Sequence, residues 1–213
     1  MATPRIRPAT PADAQHIARI CLLTGADGGD SSGRFGDDTA LADVFALPYL
    51  HGPSCFTWVV DIDGEARGYV VAAADTEAFQ QWFSNEWWAE RGPLHEAKTD
   101  GDAWLLPSAA DPTRCLSDAV ALYPAHLHID LLPELQGAGW GRRLIDTLVA
   151  QLAEQGVSGV HLIAPRNNRG AQAFYPKVGF ERIGEDAGSV TWARSTAPGW
   201  VSESPGPGLT AAK

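Results

Sequence analysis

The sequence predicts an α/β fold of the α+β kind, and three stretches carry that prediction. Residues 127–152 read as a strand, a glycine loop and a helix; residues 56–73 read as an antiparallel hairpin; residues 157–194 hold further strands around one short helix. A chain of 213 residues that is 45% hydrophobic can bury a substantial core as one domain. Its net charge of −10 argues against a nucleic-acid or anionic-membrane partner, because phosphate contacts need a basic surface. No apolar run is long enough to span a membrane, and the start Met1-Ala2-Thr3-Pro4-Arg5 lacks a signal-peptide core, so a cytoplasmic protein is expected.

Taken in order, Ile6 lies in a short strand. Thr10-Pro11-Ala12-Asp13 then opens a helix, with Thr10 as cap, Pro11 at the first helical position and Asp13 facing the dipole. The helix should run to about Leu23, burying Ala14, Ile17, Ala18 and Cys21 and stopping at Gly25. Residues 24–33 are polar and glycine-rich, either a plain surface loop or an acceptor-side loop presenting Asp27 and Asp30; no glutamate closes them as a calcium loop requires. A second short helix is expected over residues 39–46. The strands at 56–61 and 66–73 are joined through Asp63-Gly64, a hairpin turn signal.

Residues 75–124 read as a Trp-rich helical insertion. Asp75 caps a helix carrying Phe79, Trp82, Phe83, Trp87 and Trp88; Gly92-Pro93 breaks it; a proline-spotted loop with Trp104, Pro107 and Pro112 leads to a short helix near 117–122. The tryptophans either pack the insertion onto the sheet or line an acceptor pocket. Cys21, Cys55 and Cys115 are odd in number and widely spaced in apolar surroundings, which favours free thiols over a disulfide or a metal site.

The next strand, 125–132, places His126, His128 and Asp130 on one face and Leu127, Ile129 and Leu131 on the other. A metal reading of that His-x-His-x-Asp face is available, but no further ligand cluster accompanies it. Asp130 is the better catalytic candidate, as a base or as a partner fixing His128. Gln136-Gly137-Ala138-Gly139-Trp140-Gly141 follows, then a helix with apolar residues at 144, 145, 148, 149 and 152. Glycines at 137, 139 and 141 allow positive φ and leave room for backbone N–H groups to converge on a diphosphate at the helix N-terminus; alternatively they only make a tight turn. The spacing fits neither a dinucleotide-binding fingerprint nor a phosphate loop ending in Gly-Lys-Ser/Thr. Gly156 stops the helix, a strand covers 157–164, residues 165–170 turn the chain, 171–177 form a short helix, and strands at 180–184 and 189–194 complete the sheet.

Two motifs carry a resemblance. Gln136 to Gly141 resembles the Q/R-x-x-G-x-G/A motif of the GNAT acyltransferases, and Asn168-Arg169-Gly170-Ala171-Gln172-Ala173-Phe174-Tyr175-Pro176-Lys177-Val178-Gly179-Phe180 is similar to the family's N-x-x-A-x-x-F-Y-x-x-x-G-F pattern. The resemblance implies the GNAT acyl-CoA N-acyltransferase fold, a mixed, mostly antiparallel central sheet flanked by helices. It also implies a strand before the glycine loop that splays from its neighbour, so that Ile129, Asp130 and Leu131 meet the pantetheine arm of acetyl-CoA. Gln136, Gly137, Ala138, Gly139, Trp140 and Gly141 would hold the pyrophosphate, with Arg142 near the phosphates and Asn168 near the pantetheine. Tyr175 would protonate the departing sulfur, as a phenol that keeps its proton at neutral pH can. One departure stands out: several family members carry a glutamate base five residues ahead of the asparagine, where this chain has Ile163. The base is then Asp130, His128, Asp27 or a water chain, with Asp130 preferred, or it is absent.

A finer similarity extends to Leu22-Leu23-Thr24-Gly25-Ala26-Asp27-Gly28, Pro48-Tyr49-Leu50, Gly68-Tyr69-Val70, Ala74-Asp75-Thr76, Trp87-Trp88 and His128-Ile129-Asp130. These look like the acetyltransferase-like C-terminal domain of O-GlcNAc hydrolase (O-GlcNAcase), which implies a stand-alone bacterial-type homologue without a glycosidase module. The expectation is one acetyltransferase domain over residues 1–195 and a Pro/Gly/Ser-rich tail over 196–213. By the same resemblance it would act as an N-acetyltransferase by direct attack of an unidentified amine on acetyl-CoA, without a metal; the alternative is a pseudo-acetyltransferase that binds acetyl-CoA or a partner without transfer. Self-association into a homodimer is compatible with this reading. The acidic residues and tryptophans lean toward a cationic or sugar-amine acceptor.

Overall fold

A computed structural model describes residues 3–197. The tail at 198–213 lies outside the described residues, while Thr196 is buried, its N–H bonded to Ser158 O and its hydroxyl to Val157 O.

Strand β1 (Arg5–Pro8) leads into the capped turn at Thr10, where Asp13 accepts the Thr10 N–H at 2.8 Å. Asp13 is buried and paired with Arg7, whose guanidinium also reaches Asp61 on the neighbouring strand. That pairing holds the Asp13 carboxyl down at about 2. Helix α1 (Ala14–Thr24) buries Ile17, Ile20, Cys21 and Thr24, while Ala14 and Ala18 stay half-buried. Gly25 ends it for a different reason than expected. Its φ is an ordinary −70°, but a Cβ there would lie 2.2 Å from Leu41 Cδ2, so the glycine lets helix α2 (Ala40–Phe45) pack closely.

Strands β2 (Cys55–Ile62) and β3 (Glu65–Ala73) pair antiparallel, and Asp63 and Gly64 both take positive φ, as the two-residue hairpin requires. In the insertion, α3 (Thr76–Trp82) starts at Asp75, whose carboxylate accepts from Ala78 N, and continues through a π-helical turn (Phe83–Trp87) into α4 (Trp88–Arg91). The expected proline-spotted loop is instead a helix, α5 (Asp100–Ala110), with Pro107 inside it. A Thr99–Asp102 capping box fixes its start, and Leu105 and Ala109 are fully buried. Pro107 is exposed, so the carbonyl that loses its partner faces water; this is why a residue that usually breaks helices is tolerated.

Strand β4 (Ala125–Leu131), helix α6 (Trp140–Glu154), strand β5 (Gly159–Pro165), helix α7 (Arg169–Phe174), and strands β6 (Glu181–Glu185) and β7 (Ser189–Ser195) complete the chain. The sheet order is β1-β2-β3-β4-β5-β7-β6, and only β4 and β5 run parallel. One face packs under α1, α2 and the insertion through Ile17, Val71, Phe79, Phe83 and Leu105. The other packs under α6 through Leu144, Ile145, Leu148 and Leu152 against Val70, Leu127 and Val160. The tryptophans divide accordingly: Trp82, Trp87 and Trp88 pack the insertion onto the first face, whereas Trp104 is 59% exposed.

Among the described residues no helix is long and apolar enough to cross a membrane. All three cysteines are free, Cys21 buried and Cys55 and Cys115 partly so.

Candidate active site

The parallel pair at the centre of the sheet holds together at one end only. β4 and β5 are seven residues each, yet they pair just at Ala125 with Val160 and His126 with His161. Beyond that the strands part. Leu132 N–H donates to Arg67 O at 3.0 Å, so by the alternation of an antiparallel ladder the backbones of His128 and Asp130 also face β3. The backbones of Ile129 and Leu131 therefore point into the opening, and that of Asp130 does not. The opening is the mouth of a cavity of about 1340 Å³ that runs between the glycine loop, α7 and the insertion.

At one end lies the glycine loop. Gly137 and Gly139 have φ of +74° and +84°, and a Cβ on either would meet nothing within 4 Å, so the loop is both left-handed and open. The expectation of left-handed freedom fails for Gly141. It sits in the first turn of α6, where a Cβ would come within 3.0 Å of the Phe174 ring, so this glycine allows α7 to approach. The first ladder bond of α6 is Arg143 N–H to Gly139 O, and no side chain caps the helix, which leaves its first-turn N–H groups turned toward the loop. Gln136 lines the cavity, its amide donating to Leu131 O at 2.9 Å. Arg142 also lines it and reaches Lys177 O. Ala138 and Trp140 are not in the cavity wall; Trp140 is half-buried, with the Arg143 guanidinium 4.6 Å over its ring.

Opposite the loop, Asn168 caps α7: its side-chain oxygen accepts Ala171 N–H at 2.9 Å, which leaves its amide donors for the cavity it lines. Tyr175 lies at the cavity wall with its ring packed on Phe174, Phe180 and Trp192. Burial first, and the charge of Asp130 second, push its pKa up, so its hydroxyl holds a proton across the physiological range.

The same-face residues of β4 have three different fates. Both ring nitrogens of His126 are taken, Nε2 by the Tyr49 hydroxyl at 2.7 Å and Nδ1 by the Thr76 hydroxyl at 2.9 Å. His128 packs edge-on against Phe45 and Tyr49, and burial followed by the charge of Arg114 pushes its pKa down to about 3. The metal reading therefore loses one of its two imidazoles to hydroxyl partners; among the described residues no group of three His, Cys, Asp or Glu side chains is placed to hold a metal. Asp130 accepts a 2.5 Å hydrogen bond from Tyr69, and burial raises its pKa despite that donor. A carboxylate so raised is a stronger base than an exposed one. Of the two loop acids, Asp27 lines the cavity, with Asn167 donating to it at 3.3 Å, while Asp30 is turned to the backbone and hydroxyl of Ser32.

The far end of the cavity is walled by Phe45, Trp104, Ser108 and Arg114, and Ile163 forms part of the rim, half exposed. Sequence reasoning missed Arg114 and Phe45, which no local pattern marks. It also missed Tyr69 as the partner of Asp130, although Gly68-Tyr69-Val70 was among the stretches carrying the finer resemblance.

Residues 30–180 match the acetyltransferase (GNAT) family. The crystal structure of SsHAT is similar at 35% identity, covering 92% of this chain and all of that one, with a TM-score of 0.85. The fold is also shared with the ribosomal-protein-S18-alanine N-acetyltransferase from Escherichia coli, at 13% identity over 94% of this chain and all of that one with a TM-score of 0.54. It is shared likewise with the PaiA N-acetyltransferase from Thermoplasma acidophilum in complex with coenzyme A, at 11% identity over 91% of this chain and 99% of that one with a TM-score of 0.57.

Proposed function

The chain belongs to the acetyltransferase (GNAT) family, and from that premise we propose that it transfers an acetyl group from acetyl-CoA to an amine by direct attack. The observation that carries this reading is the parted β4–β5 pair, with an open left-handed glycine loop on one side and a protonated tyrosine on the other, all in one cavity.

The donor set fits the cosubstrate. Gly137 and Gly139 leave space where other residues would put a Cβ, and the first turn of α6 offers unpaired N–H groups, so a diphosphate meets donors without a clash. Gln136 holds the end of β4 against the loop, Arg142 adds positive charge, and Asn168 directs its amide at the pantetheine. Ile129 presents its backbone groups along the opening and Leu131 its N–H, the Leu131 carbonyl being taken by Gln136, and the Leu131 N–H polarises the acetyl carbonyl. Acetyl-CoA supplies the activated acyl group. Asp130, fixed by Tyr69, takes the proton from the amine, and Tyr175 gives one to the sulfur; the Tyr175 hydroxyl retains its proton until then because burial disfavours the phenolate.

The second reading, an acetyl-CoA-binding protein without transfer, is favoured by one observation: Ile163 stands half exposed at the rim where several relatives carry a glutamate base. We assign the chain to the O-GlcNAcase-like subgroup on the stretches quoted above; of their residues, Asp27 and His128 line the cavity, Tyr49 packs on His128 and Tyr69 bonds Asp130 from behind the wall.

Thermal unfolding with excess acetyl-CoA, against adenosine as control, tests the binding half. A ligand held at about 100 times its dissociation constant stabilises by about 2.7 kcal/mol. No shift would remove both readings. Mass spectrometry of an amine panel then separates them: acetylated product supports transfer, and cofactor binding with no product across the panel supports the non-catalytic reading.

A further inference from the structure

We propose that Arg114 forms an anion subsite at the acceptor end of the cavity, and that the acceptor is a zwitterion whose carboxylate sits on Arg114 while its amine faces Asp130. The proposal deepens the acyl-transfer reading and rests on it.

The other arginines near acids are paired: Arg7 with Asp13 and Asp61, Arg67 with Glu65, Arg166 with Glu185, Arg194 with Asp146. Arg114 has no carboxylate within 4.0 Å among the described residues, and its Nε and Nη2 are buried without any hydrogen-bond partner. Its guanidinium is held between two rings, 4.7 Å from the Phe83 centroid and 5.5 Å from that of Phe45. Ring faces stabilise a cation but do not satisfy its N–H donors. Leaving buried N–H donors of a charged group without a partner is costly, so a half-buried guanidinium that keeps two of them is arranged for an incoming acceptor.

Beside this charge the cavity wall is neutral or apolar. The cavity wall beside it is Phe45, Trp104, Ser108 and His128. His126 and His128 are both kept uncharged by burial, with Arg114 adding to the effect, so they neither compete for an anion nor repel it. Asp111, the acid that senses the Arg114 charge, is exposed and turned to Thr113. The orphaned pair Nε and Nη2 forms the edge of the fork that meets the two oxygens of a carboxylate in parallel. That edge is covered here, so engaging it takes a rotation of the side chain toward the cavity. Asp130 lies on the same cavity wall, which gives the site one negative and one positive group and selects a molecule carrying both charges. This differs from the cationic or sugar-amine acceptor that the acidic residues and tryptophans suggest, because net charge does not reveal one arginine in a cavity wall.

The test uses the full chain with acetyl-CoA and a ladder of ω-amino acids, glycine to aminohexanoate, each beside its amino amide, with phosphoethanolamine as the phosphate arm. At one rung the acid should exceed its amide in kcat/KM by about ten- to a hundredfold, the range of a charge-assisted hydrogen bond. Arg114→Gln should remove that preference by raising KM for the acid while leaving the amide nearly unchanged. Arg114→Met, which keeps an apolar stem between the rings, repeats the test if the glutamine variant fails to fold. Equal use of acids and amides, or a preference that survives both variants, would overturn the proposal. Preference for phosphoethanolamine that disappears in the variants would overturn the carboxylate assignment in favour of phosphate. If acetyl-CoA binds but nothing in the ladder is acetylated, titration with glutarate decides. Binding to the wild type that weakens at least tenfold in Arg114→Gln supports the subsite independently of transfer, and no glutarate binding overturns it.

Discussion

At the glycine-loop end of the cleft, the end proposed for the cosubstrate, the walls come from two short spans of chain, residues 129–142 and 168–178; at the end proposed for the acceptor, Phe45, Trp104, Arg114 and His128 come from α2, α5, the link before β4, and β4 itself. The first end depends on backbone conformation: positive φ at Gly137 and Gly139, strand groups of Ile129 and the N–H of Leu131 turned to the opening, uncapped N–H groups on α6. The second depends on side chains brought together by the insertion, which is itself tied down by Asp102 bonding Gly36 and by His95 bridging Asp37 and Asp43. A backbone site presents the same donors whatever its neighbours' side chains are, and suits a ligand shared across a family. A side-chain site changes with each substitution and suits an acceptor that differs among members.

Gly139→Val is the strongest way to break this contrast. A β-branched residue at φ +84° is strained by about 1–2 kcal/mol or more and redirects the loop's N–H groups. Acetyl-CoA affinity by calorimetry should fall about a hundredfold. Unchanged affinity would mean that side chains, not the loop backbone, hold the cosubstrate. Next in size is Tyr175→Phe, which should lower kcat by about a hundredfold as a lost general acid does, with acetyl-CoA affinity nearly intact. A large affinity loss instead would make Tyr175 a packing residue of the cofactor end.

Tyr69→Phe probes the residue where the two ends meet. Burial raises the Asp130 pKa and the Tyr69 hydroxyl partly offsets it, so removing that hydroxyl lifts it further. The acid limb of kcat/KM should therefore move to higher pH, by up to about one unit. The sign for stability follows the same shift. A carboxyl whose folded pKa is raised binds its proton more tightly in the native state, so its contribution is full below the ordinary carboxylate pKa and is lost as pH rises through the folded value. A pH profile that does not move would remove Asp130 from the role of base. The smallest effect belongs to Trp104→Ala: at 59% exposure the ring adds little stability, so unfolding should shift by less than about 0.5 kcal/mol. Acceptor KM should rise while acetyl-CoA affinity stays constant; a change in acetyl-CoA affinity would show that the two ends are not separable.

Legibility followed the same division. The strand, glycine loop and helix over 127–152 were readable because alternation, three glycines and the apolar positions 144, 145, 148, 149 and 152 are all local, and each of those five side chains is buried on one face of α6. The hairpin at Asp63-Gly64 was readable for the same reason. Helix α5 was not, because Pro107 reads as a breaker until its exposed side is known. Gly25 and Gly141 look like flexible residues in the sequence and prove to be places of close packing, by Leu41 and Phe174.

The sequence by itself determined the family, the glycine loop ahead of α6 and the motif from Asn168 to Phe180 that holds Tyr175, since those features lie within single elements whose geometry is set by neighbours a few residues away. Only the tertiary structure decided that β4 and β5 part after His126, that Asp130 is gripped by Tyr69, and that Arg114 is left in the wall without a counter-ion. Burial, pairing and the absence of pairing are properties of residues distant in the chain, and no local pattern encodes them.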